Sequence, residues 1–145
     1  MALSSVLITG CSTGIGEACA RDLASRSLRV FAGVRREADA RRLRAELPAG
    51  VEPVILDVTD PATITGAVEQ IERSLHEAGS PGLGALVNNA GILIPGPLEL
   101  LTTAQVREQF EVNVLGTHAV TRAFLHLLRP VSGRVVLMGS ISGVV

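Results

Sequence analysis

Along the 145 residues, short apolar runs alternate with longer stretches in which apolar positions recur every three or four residues. The runs at 6–9, 29–34, 54–56, 85–88 and 134–138 predict five strands. Most are apolar throughout rather than alternating, as strands covered by helices on both faces are. Alternation of such strands with helical patterns predicts βαβ units, hence an α/β fold built on a parallel sheet. After the first strand, Ile15, Cys19 and Leu23 fall four apart on one helix face, and Ile64, Val68, Ile71 and Leu75 mark a second helix. Asp60 followed by Pro61 supplies that second helix with an N-cap and a pre-set first turn. Thr102 and Gln105 form a capping box before a further short helix. From 111 to 128 the pattern is apolar on two faces, through Leu115, Ala119, Val120, Ala123, Phe124, Leu127 and Leu128. It predicts a helix packed on the sheet and on a second surface.

Composition narrows the class without naming a function. A hydrophobic content of 47% over this length suits one domain with a substantial core, spanning 1–145, and excludes disorder. A net charge of -1 offers nothing to nucleic acid, and no apolar run approaches the roughly 18 residues of a membrane span. No basic leader precedes the first strand, so the expected location is cytoplasmic. Cys11 and Cys19 lack metal-ligand spacing and read as reduced thiols. The chain has no Tyr, and all 13 of its basic residues are Arg.

The candidate chemistry begins at "LITGCSTGIG", where Gly10, Gly14 and Gly16 follow the first strand. A strand, a glycine loop and a helix start gather free backbone N–H groups and the positive end of a helix dipole at one point, which suits an anion. Gly10 permits the turn, Gly14 lets the backbone approach a pyrophosphate, and Gly16 allows close packing of helix on strand. A P-loop is excluded, since no Lys follows. At the end of the second strand stand Val34, Arg35 and Arg36, where an acid would hydrogen-bond the 2′-hydroxyl of NAD. A guanidinium holds a 2′-phosphate instead, which favours NADP over NAD, with Arg35 the first choice and Arg36 beside it. The alternative is that both belong to a solvated basic stretch running on through Arg41, Arg42 and Arg44.

"TGCSTGIG", "LDV" at 56–58, "NNAG" at 88–91, "FEVNVLG" at 110–116 and "GRVVLMGSISG" at 133–143 together resemble the short-chain dehydrogenase/reductase family over essentially the whole chain. The glycine spacing is similar to that of its main, single-domain branch, and more loosely the chain resembles steroid and retinol dehydrogenases. The resemblance implies a Rossmann-type doubly wound sheet in the order 3-2-1-4-5, without the last strands of the family. It implies hydride transfer between a nicotinamide cofactor and a small carbonyl or alcohol, and a homodimer or homotetramer formed through the 111–128 helix. Ser12, Thr13 and Ile15 would join the three glycines around the cofactor; Asp57 and Val58 would border the adenine; Asn89, Ala90 and Gly91 would line the ribose side. Asn113 would be the helix asparagine of the catalytic tetrad, and Ser140, with Ser142 as second choice, the serine that positions the carbonyl.

The family's Y-x-x-x-K motif is missing. A phenol near pKa 10 needs a neighbouring positive charge to serve as acid and base at pH 7. The motif should begin about a dozen residues beyond Ser140, whereas the sequence ends five residues after it. His76, His118 and His126 sit in helical patterns as surface residues and do not replace it. Two expectations follow: these residues are the N-terminal part of a longer NADP-dependent oxidoreductase, or they form a non-catalytic dinucleotide-binding module or regulatory short form. A methyltransferase fits poorly, because Arg35 stands where that class wants an acid for a ribose diol.

Overall fold

The computed structural model describes residues 5–141. Five strands, β1 (Ser5–Ile8), β2 (Arg29–Val34), β3 (Val51–Ile55), β4 (Ala85–Asn88) and β5 (Arg134–Leu137), form one sheet. Its order is β3-β2-β1-β4-β5 and every neighbouring pair is parallel, as the sequence predicts. Helices α1 (Gly14–Ser25), α2 (Glu37–Glu46), α3 (Pro61–Glu77), α4 (Thr103–Phe110) and α5 (Thr117–Leu128) lie between the strands in sequence.

The period of two along each strand divides the core. Leu7, Phe31, Val54 and Leu86 face one way, onto Ile64, Ile71 and Leu75 of α3 and Val120, Phe124 and Leu127 of α5. Val6, Ile8, Val30, Ala32 and Val34 face the other, onto Ala20 of α1 and Ala40 and Leu43 of α2. Asp60 caps α3 by accepting from the Ala62 amide, and the Thr102–Gln105 capping box starts α4, both as predicted.

Three expectations are corrected. β3 begins at Val51, not at 54, because Glu52 and Pro53 interrupt the apolar run without ending the strand. The amide of Leu56 and the carbonyl of Gly50 bond β2, so the even-numbered residues face it and the Pro53 nitrogen points off the sheet edge, where no donor is needed. Ile15 does not join Cys19 and Leu23 against the sheet; it is 63% exposed, and Gly16 and Ala20 are the buried positions of α1. Finally, α4 and α5 are one continuous helical run joined by a π-helical turn, Glu111–Gly116. The second apolar face of this run is confined to its first half, where Phe110, Val114 and Leu115 are exposed, and gives way to exposed His118 and Arg122.

Among the described residues β5 pairs with β4 alone, and its Val135, Val136 and Leu137 are exposed, unlike the apolar side chains of the inner strands. The heart of the layer formed by α3, α5 and the sheet is Phe124, fully buried. Phe124→Ala is therefore expected to remove about 3–5 kcal/mol of stability. Urea unfolding followed by circular dichroism measures this, and a loss below about 1 kcal/mol would show that the layer closes without the ring.

Candidate functional site

The strand order reverses direction between β1 and β4, and the loops that leave those two strands are laced together. Thr9, buried just after β1, accepts through Oγ1 from the amides of Asn89 and Ala90 at 3.0 and 2.9 Å. Asn89 returns the contact, its Nδ2 donating to the carbonyls of Thr9 and Gly10 at 2.9 and 3.1 Å. Between them the backbones touch. Gly10 has φ +70°, and a Cβ on it would lie 2.9 Å from Ala90 Cα. A Cβ on Gly16 would overlap the Gly10 carbonyl and Asn89 Nδ2, so the start of α1 is pressed onto the same joint. Gly14, at φ +64°, faces open space instead.

Cys11 anchors the loop from beneath. Its amide donates to the Gly33 carbonyl at 2.8 Å and its thiol to the Ile8 carbonyl at 3.2 Å. Burial, followed by the nearby Cys19, pushes the Cys11 thiol up to about 12.

These loops open into a cleft of about 690 Å³. Gly10, Ser12, Thr13, Ile15 and Gly16 form its floor; Arg35, Asp57 and Val58 stand on the β2–β3 side, and Asn89, Ala90 and Gly91 on the β4 side. Eleven expected cofactor residues thus converge. Gly14 and Arg36 are not among its walls: Gly14 lies between wall residues of the loop, and Arg36 Nε donates to Asp39 at 3.0 Å in the first turn of α2. Arg35 is exposed and has no hydrogen bond or ion pair among the described residues. Asp57 uses Oδ1 to accept from the amide and hydroxyl of Thr59, at 2.9 and 2.7 Å, which leaves Oδ2 open. Asn88 faces away from the cleft, donating to Thr121 of α5 at 3.0 Å.

The N-terminus of α1 is electrostatically unfinished. Thr13, its N-cap, makes no side-chain cap bond, in contrast to Asp60 and Thr102. The acid in its first turn, Glu17, is held below the usual carboxylate range, chiefly by a hydrogen bond from Arg42. The helix dipole and the unpaired first-turn amides remain available to an anion.

Asn113 and Ser140 stand outside the walls of the cleft. Asn113, in the π-helical turn, accepts from the Ile92 amide and donates to the Ile92 carbonyl, both at 2.9 Å. Ile92 itself is a wall residue. Ser140 is exposed in the segment that follows β5, the strand next to β4 in the sheet. Ser142 lies outside the described residues.

Several participants were not foreseen. Thr9 was signalled as a polar residue closing an apolar run; Gln109, which accepts from the Ile94 amide at 3.1 Å, sits one helical turn before Asn113. Glu108, Glu111 and Val112 add an acidic and apolar wall from the end of α4 and the first residues of the π-helical turn. Nothing local in the sequence says that this surface meets the cleft.

A parallel doubly wound sheet with an uncapped helix N-terminus at its switch point defines a dinucleotide-binding fold of the Rossmann type. The comparisons carry this further: the family model described as "short chain dehydrogenase" matches residues 4–145, and the chain belongs to that family. It is 40% identical over 139 residues to human retinol dehydrogenase 16 and 41% identical over 139 residues to human 17-beta-hydroxysteroid dehydrogenase type 6. Each match covers 95% of this chain but 43% of the relative, so the chain spans less than half the length of these curated relatives. The solved structure of ElxO with NADP bound superposes with a TM-score of 0.83 at 30% identity, covering 99% of this chain and 58% of that one.

The burial of Cys11 has a direct chemical readout. At pH 8 the folded protein should resist alkylation at Cys11 by iodoacetamide, while the guanidinium-unfolded chain should react there readily. Peptide mass spectrometry distinguishes the two, and equal labelling would mean that the loop opens freely.

Proposed function

We propose that the cleft binds NADP(H), and that the protein is an oxidoreductase interconverting a carbonyl and an alcohol by hydride transfer. One juxtaposition carries this reading: the uncapped N-terminus of α1 and the unpaired Arg35 line a single cleft. The amides of the glycine loop suit a pyrophosphate, and Arg35 suits a further phosphate on the adenosine ribose. The free Oδ2 of Asp57 suits an amino donor on the base, and buried Val58 its apolar face. The ElxO structures with NADP or NADPH, and the retinol and steroid dehydrogenases among the relatives, support the same class of cofactor and reaction. Bound there, the nicotinamide supplies the hydride chemistry.

Asn113 holds the Ile92 backbone and so the wall of the cleft after β4. Ser140 is the hydroxyl we assign to the substrate carbonyl. Neither Tyr nor Lys occurs in the 145 residues, which favours a second reading of this segment as a binding module without turnover of its own. Both readings expect cofactor binding without turnover from these 145 residues alone, so the encoding sequence past residue 145 separates them: a Y-x-x-x-K motif there favours the oxidoreductase, and its absence favours the module. The exposed Phe110, Val114 and Leu115 support an association of copies through the α4–α5 run.

Arg35→Asp should shift preference from NADPH toward NADH by about tenfold or more, about 1.4 kcal/mol. Titration of both cofactors reads this, and an unchanged ratio would return Arg35 to the solvated surface. In a polypeptide that supplies the missing Tyr and Lys, Ser140→Ala should lower turnover strongly and leave cofactor affinity unchanged. Undiminished turnover there would remove Ser140 from the reaction.

A further inference from the structure

Arg42 lies on α2, in a stretch whose other arginines, Arg41 and Arg44, are exposed, yet it joins three elements. Its Nη2 donates to the Ser12 carbonyl at 2.6 Å and to Glu17 Oε2 at 2.8 Å, and its Nη1 donates to Glu46 Oε2 at 2.7 Å. The planar guanidinium fork serves all three acceptors from two nitrogens held in fixed relation. Ser12 lies in the glycine loop and lines the cleft, and Glu17 is in the first turn of α1.

The peptide bond gives the contact its consequence. The Ser12 carbonyl and the Thr13 N–H share one trans peptide plane and point in opposite directions. Holding the carbonyl toward α2 aims the Thr13 N–H away from α2. If that plane turned over, a carbonyl dipole would face the anion site in place of a donor. The same guanidinium neutralises Glu17, the negative charge closest to the helix terminus that an anion would approach.

We propose that Arg42 is a positioning residue for the phosphate-binding loop: it locks the Ser12–Thr13 peptide in its donor-outward orientation and offsets Glu17, without touching the cofactor itself. This rests on the reading of the cleft as a dinucleotide site. With all its bonds directed to protein acceptors, Arg42 should influence NADPH and NADH alike, whereas Arg35 should separate them.

The test compares the unsubstituted protein with Arg42→Met by titration with NADPH and with NADH, and by amide hydrogen exchange with and without saturating NADPH. Both affinities should fall by about tenfold and by similar factors. The protection that NADPH confers on the Thr13 and Gly14 amides should shrink while the amides of β1 and β4 keep theirs. Arg42→Lys keeps the charge and the stem but not the fork; it should show the same pattern with a smaller loss, and it serves if Arg42→Met does not fold. Unchanged affinities, or a loss confined to NADPH, would overturn the proposal, the latter marking direct contact with the ribose phosphate. Failure of the unsubstituted protein to bind either dinucleotide would overturn the functional reading and this inference together.

Discussion

The structure turns on the approach of two backbones. Where the loop after β1 meets the loop after β4, Gly10 lies against Ala90 and Gly16 against Gly10, with no space for a side chain at either glycine. Thr9 and Asn89 close the same joint with four hydrogen bonds between the two segments. This contact brings the N-terminus of α1 to the switch point of the sheet, and it sets the walls of the cleft around that terminus. A Cβ at Gly16 would have to displace the carbonyl of Gly10, and with it the path of the chain into α1.

Charge is distributed to suit that geometry. α2 begins with Glu37 and Asp39, which offset its own dipole, and Arg36 is spent on Asp39. The corresponding acid of α1, Glu17, is committed to Arg42 and Arg21. The net result is a nearly neutral protein in which the N-terminus of α1 that borders the cleft is left positive, with Arg35 free at its side. Local arrangement, not net charge, makes the site attractive to an anion.

Much of this was legible in the sequence, for identifiable reasons. The parallel sheet and the helices that cover it follow from apolar periodicity, the strand order from the family resemblance, and the α3 and α4 starts from capping residues whose bonds are local. Eleven of the expected cofactor residues converge because they sit in loops, or in the first turn of α1, whose place is set by the strands before them. The failures have a common cause. The start of β3 was hidden because an edge strand tolerates Pro53, and Ile15 was misplaced because helix period says which residues share a face but not which face meets the sheet. Arg42, Gln109, Glu108 and Glu111 act through contacts with segments distant in sequence, which composition does not display.

The π-helical turn at Glu111–Gly116 bears on how this run accommodates two tasks. Each residue of an α-helix advances the direction of its side chain by about 100°, so a regular helix locks the phase of one end to that of the other. Widening a single turn breaks the lock. The side chains of Gln109 and Asn113 can be set to grip the segment after β4 while Val120, Phe124 and Leu127 are set to fill the sheet layer. Removing one residue from that turn would return the run to uniform winding, and either the grip or the core would then face the wrong way. The irregularity is thus the device by which one helix obeys two partners.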